Sequence, residues 1–151
     1  MQPKTVKEVD ERTRELFTRA DEALQQKNYD YAIDLFQNCL KQVPALKEAR
    51  ASLRQAALLK FGGKPSATKQ AMVAMKFSVT LTVKIPGLIR KGENIKAMRL
   101  CEEVLANDPS NLSASRLLAE AATEAEMNWI AVDIMELASR YNPTDADVNL
   151  Y

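Results

Sequence analysis

Two stretches decide the fold: Ile95–Pro109, IKAMRLCEEVLANDP, and Ile130–Pro143, IAVDIMELASRYNP. They align without a gap at a spacing of 34 residues, anchored by Ala97 with Ala131 and by Pro109 with Pro143. A third copy lies upstream in Tyr29–Pro44, YDYAIDLFQNCLKQVP. There Tyr29, Ala32, Phe36, Cys39 and Pro44 keep the same rhythm of a small residue, a larger apolar one four later, and a closing proline. Self-similarity at a period of roughly 20–50 residues marks units that bury their apolar faces against their neighbours. Within each copy the apolar residues recur at helical rather than strand spacing.

Working outward, Thr5 to Lys27 places Val9, Leu16, Ala20 and Leu24 along one stripe. Ala32, Leu35, Phe36, Cys39, Leu40 and Val43 make a second stripe, ended by Pro44, which cannot continue a helix. Ala45 to Phe61 reads as a third helix, stopped at Gly62–Ser66, GGKPS, the clearest loop signal in the chain. Further helices are expected near 94–107, 111–126 and 128–140.

The three copies resemble tetratricopeptide repeats, helix pairs with small residues at the crossing and a proline closing the second helix. The residues matching that pattern are Ala20, Ala32, Phe36, Cys39 and Pro44 in the first copy. In the next they are Ile85, Ala97, Cys101, Val104 and Pro109, and in the last Ala119, Ala131, Met135, Ala138 and Pro143. Ile85 is the poorest fit, standing where a small residue is usual. The resemblance covers about two thirds of the chain and implies an all-α fold: antiparallel helix pairs stacked as a right-handed array, irregular in its middle.

Two places depart from the repeat. Pro44 and Pro109 are 65 residues apart, not twice 34, and counting on from Pro44 puts Arg54 at a helix-crossing position. The helix at 45–61 is then either a cap on the first pair or half of a degenerate repeat. In Phe77–Ile85, Phe, Val, Leu, Val and Ile alternate strictly with polar residues, which read locally is a strand. A lone strand would leave its backbone unpaired. Phe77, Leu81, Ile85 and Leu88 also share a helical face, and the expected form is a helix from about Thr68 that bends near Pro86. After Pro143, Thr144–Tyr151 looks like the start of another first helix, either in a piece of a longer protein or folding back as a cap.

The 151 residues are 46% apolar, 27% charged and 6% aromatic, enough for one domain with its own core. We expect a single helical-repeat domain over 1–151, with pairs at about 5–44, 78–110 and 111–144 and an irregular insert at about 45–77. There is no histidine, the commonest general base and metal ligand. Cys39 and Cys101 lie far apart without a CxxC spacing and read as buried thiols of a reducing, cytoplasmic setting. The N-terminus lacks the apolar core of a secretory signal. Lys76, Lys84 and Pro86 make Ala71–Ile89 too polar for a bilayer span.

No nucleotide-, serine-hydrolase- or zinc-protease-type motif occurs. Gly62–Lys64 lacks the strand and the Ser or Thr of a phosphate loop, and Glu102 and Glu103 point about 100° apart on a helix. The expected protein is not an enzyme and uses no cofactor or metal.

The resemblance implies a concave groove for a peptide or partner helix. By register it would be lined by Arg14, Asp21 and Gln25 in the first pair and Arg116, Glu120 and Glu124 in the last; the alternative is that these are solvated faces. The chaperone-tail specialisation, which grips a carboxylate with paired Asn, fails at Asp21 and Ser52. Charge gives a second clue. From Lys41 to Lys91 there are eleven Lys or Arg and one acid, Glu48, and Lys47, Arg50 and Arg54 fall on one helical face. An acidic protein partner, or self-contact with the acidic C-terminal repeats, leads; a solvated face comes next, and nucleic acid or a membrane surface last. Trp129 reads as packing rather than an exposed anchor, and Met72, Met75, Met98, Met127 and Met135 as adaptable filler first and a promiscuous binding surface second. The function expected is a protein-protein interaction module or scaffold within a longer protein; its alternative is a binder of an anionic surface, nucleic acid or membrane, through the basic centre.

Overall fold

The computed structural model describes residues 1–141, and over these the protein is all-helical, with no strand among the described residues. Pro143 and the helix start expected at Thr144–Tyr151 lie outside the described residues. The chain forms two compact units that meet in sequence between Gly63 and Lys64.

The first unit opens with a 3-10 turn, Val6–Glu8, followed by α1 (Glu11–Gln25), α2 (Tyr29–Gln42) and α3 (Lys47–Lys60). Asp10 starts α1 by accepting the Thr13 N–H at 2.9 Å. Hydrogen bonding from Thr13, side chain first and backbone second, holds the Asp10 carboxyl below its ordinary value. α2 packs on α1 and on α3. The small residues Ala20, Ala32, Ala49, Ala56 and Ala57 are buried where these helices meet, around Phe36 and Leu53. Phe17 meets Phe36 edge-on at 5.6 Å.

The second unit contains α4 (Ala67–Lys76), a π-helical turn (Thr80–Lys84), α5 (Ile85–Arg90), α6 (Asn94–Asn107), α7 (Leu112–Glu124) and α8 (Asn128–Tyr141). Helices α5 to α8 pack in succession, joined by short turns that make neighbours antiparallel. Their core holds Ile85, Ala97, Met98, Cys101, Leu105, Leu118, Met127, Ile130 and Met135. Trp129 packs half-buried against it, as expected of a packing residue.

The helical reading of Phe77–Ile85 holds, with one correction. The axis turns by 57° between Ala67–Lys76 and Thr80–Arg90, so the break is at Phe77, not near Pro86. Phe77 leaves helical geometry (φ −101°, ψ 15°) while its ring is buried. Pro86 is accommodated differently: it sits at the start of α5, directly after the π turn, where the widened bonding lets Ile85 N–H reach Thr80 O. A proline needs no amide bond in that first turn.

One local geometry recurs at the helix ends. At Lys27, Gly62, Gly92 and Glu126 the chain leaves a helix with φ of 61°, 64°, 78° and 60°. In each case the residue after it donates back five positions: Asn28 to Ala23 O, Gly63 to Leu58 O, Glu93 to Leu88 O and Met127 to Ala122 O. This is a Schellman closure, normally a glycine position. The ends of α2 and α6 also agree: Val43 and Asp108 are both extended, as a residue before proline must be, and donate to Cys39 O and Val104 O.

Candidate functional site

The predicted partner-binding residues fall into three groups. The first is on α1. Arg14 is not open to a ligand in the way expected: its guanidinium donates to Val6 O (3.3 Å), Lys7 O (3.3 Å) and Val9 O (3.0 Å), and pairs with Glu11 at 3.1 Å. The carbonyls of a 3-10 turn have no helical partners, and Arg14 supplies donors for them. Asp21 is half-buried and Gln25 exposed. A shallow depression of about 300 Å3 on α1 is lined by Glu11, Arg14, Glu15, Thr18, Arg19 and Glu22, and so excludes Asp21 and Gln25.

The second group is the basic face of α3, and here the expectation of an open surface needs correcting. Lys47 is exposed, but Arg50 and Arg54 are only 8% and 9% exposed. Arg50 donates to Pro44 O at 2.9 Å, returning the side chain to the turn that precedes its own helix. Spacing of three and four does put them on one side of α3, but that side also carries Ala49, Leu53, Ala56 and Ala57, which are buried. The apolar neighbours decide the orientation, and the guanidinium stems follow them.

The third group is on α7. Glu120 and Glu124 are exposed and Arg116 half-buried, at successive spacings of four. They share one polar face opposite Leu118, Ala119, Ala121 and Ala122, which are in the core. Asn111 caps this helix through its own side chain, accepting Ala114 N–H at 2.9 Å.

No group of three acidic, Cys or His side chains suited to a metal occurs among the described residues. Cys39 and Cys101 are buried and form no disulfide. Burial pushes the Cys39 thiol up to about 11, so it is protonated and unreactive at neutral pH. Glu102 is buried and Glu103 exposed, so the two carboxyls do not serve a common site.

One surface was read only in part from the sequence, where Met72 and Met75 stood as filler first and a binding surface second. Met72, Met75, Val79 and Val83 are 61%, 80%, 60% and 59% exposed along α4 and the π turn. The signal was present in the alternation of Phe77–Ile85: on a helix, Phe77, Leu81 and Ile85 take one side and Val79 and Val83 the other. No single described helix is long and apolar enough to cross a membrane; α4 and the segment after it reach that apolarity only as a bent pair.

No family model matches the chain, and neither a curated protein nor a solved structure matches it.

Proposed function

We propose that this protein is a tetratricopeptide-like interaction module that binds a peptide or partner helix and carries out no catalysis. The observation that supports the reading best is the same helix closure at Lys27, Gly62, Gly92 and Glu126, recurring at intervals of 30 to 35 residues. Within each unit, helices that close alike and pack on their neighbours leave outward faces free, a geometry suited to extended ligands. The polar face of α7, with Arg116, Glu120 and Glu124, is the binding surface we assign in the second unit. In the first unit Asp21, Gln25 and Lys47 are the accessible members of the expected set. Arg14, Arg50 and Arg54 act in structural roles. The absence of histidine and of nucleophile or phosphate-loop motifs supports a non-catalytic role, and the buried thiols suit a reducing, cytoplasmic setting.

The test is selection from a displayed peptide library. Wild type is expected to enrich a sequence consensus, and Glu120→Arg with Glu124→Arg to lose it at unchanged helicity. Absence of any consensus, or a consensus indifferent to the double variant, would overturn the assignment.

A further inference from the structure

The bent segment from Ala67 to Arg90 is apolar on two sides. Its inner side, Val73, Phe77 and Ile85, is buried in the core of the second unit, with Leu81 packed partly against it. On the outside, Met72 and Met75 on α4, and Val79 and Val83 after the break at Phe77, are all more than half exposed. A surface helix ordinarily keeps one apolar stripe and turns the other face polar, because each Å2 of apolar surface left in water forgoes about 25 cal/mol.

Charge says what covers this second stripe. Between residues 64 and 92 there are six cations, Lys64, Lys69, Lys76, Lys84, Arg90 and Lys91, and no Asp or Glu. Lys76 and Lys84 are exposed on the same segment, Lys76 with its ammonium over the Phe77 ring at 5.2 Å. The complement of such a face is anionic around its edge and apolar beneath. A folded protein partner fits it poorly. The stripe has no Trp, Tyr or Arg anchor, and four side chains do not supply the roughly 800 Å2 per partner that a stable protein interface buries. Self-association on this face is disfavoured by the same area and by the repulsion of like charges. A lipid surface needs no matching pocket and meets both requirements at once.

We propose that this face docks on an anionic bilayer surface. Met72, Met75, Val79 and Val83 enter the boundary between headgroups and acyl chains, while Lys76, Lys84 and the flanking cations stay at the level of the lipid phosphates and carboxylates. The segment lies on the bilayer and does not cross it, because its inner side is committed to the core of the unit and its axis turns by 57°. Unbranched methionine side chains adapt to a fluid surface without a fixed partner shape. This surface shares no residue with the polar faces of α1 and α7, and it stands or falls independently of the peptide-binding reading.

The test is co-sedimentation of the full chain with vesicles of phosphatidylcholine containing about 30% phosphatidylserine, against phosphatidylcholine alone. Wild type is expected to pellet with the anionic vesicles only, and to be released by high salt. Lys76→Glu and Lys84→Glu should each weaken binding about fivefold or more. The combined change Met72→Ser, Met75→Ser, Val79→Ser and Val83→Ser should abolish it at unchanged circular dichroism. A second measurement does not depend on how that variant folds. An environment-sensitive nitrobenzoxadiazole label on Met75→Cys should shift to the blue with anionic vesicles, while the same label on Glu136→Cys, an exposed site on α8, should not. Failure of wild type to pellet, pelleting that ignores the four serines, or a label at Met75→Cys that responds to an acidic helical peptide or to DNA but not to vesicles would each overturn the proposal.

Discussion

The helix turn α2–α3 and the helix turn α6–α7 are the same structure made in two ways. Offset by 65 residues, Val43–Pro44 matches Asp108–Pro109, and Leu46 N–H donates to Val43 O as Asn111 N–H donates to Asp108 O. After that the two diverge. In the second unit every support is local: Asn111 caps α7, and Asp108 accepts from Ser110 N–H at 3.0 Å and from its hydroxyl at 2.6 Å. In the first unit Leu46 stands where the cap should be and supplies no side-chain oxygen. A distant strap does the work instead. Lys4 N–H donates to Ala45 O at 2.8 Å, Lys47 N–H to Lys4 O at 3.0 Å, and Val6 N–H to the Glu48 carboxylate at 3.0 Å. A helix start can therefore be closed by its own side chain or by borrowed backbone, and the second solution ties it to residues far away in sequence.

The largest expected effect comes from cutting the strap. Deleting residues 1–8 removes these three hydrogen bonds and the carbonyls of Val6 and Lys7 that Arg14 serves, an expected loss of about 3 kcal/mol. Amide exchange in the first turn of α3 should quicken while that of α7 stays unchanged. Equal protection of α3 with and without the strap would dissolve the contrast. A smaller effect is expected from Asn111→Ala, about 1 kcal/mol by urea denaturation, since a local cap is all that is lost.

What a one-dimensional pattern omits explains where the sequence was ambiguous or misleading. The repeat was legible because small residues and prolines recur at fixed offsets, and the helices followed from it. The strict alternation of Phe77–Ile85 looked like a strand because a helix with two apolar sides also alternates over a short window. Arg50 and Arg54 were read as a surface because charge was weighed before their neighbours, and Leu53 with three alanines turned that side of α3 inward. The polar face of α7 was legible from register alone. The Met–Val stripe was not, because a sequence does not say which of two apolar sides finds a core.

The third prediction sharpens the comparison at the turns themselves. Gly92 adopts its left-handed conformation without a penalty, whereas Lys27 and Glu126 hold φ near 60° with a β-carbon in place. Lys27→Gly and Glu126→Gly should each stabilise the fold by somewhat less than about 1 kcal/mol, partly offset by the greater freedom of glycine in the unfolded chain. A lower urea midpoint for either would mean that its side chain contributes more than the turn costs.

The strap also sets an order of events. Val6 and Glu48 meet across 42 positions of chain, whereas the caps of α7 close over three. Distant pairs must wait for the loop between them to be shortened, and here that shortening is the formation of α1 and α2. The first unit therefore has a last step, in which an extended N-terminal arm settles onto helices already built, and among its described residues the second unit has no counterpart to it.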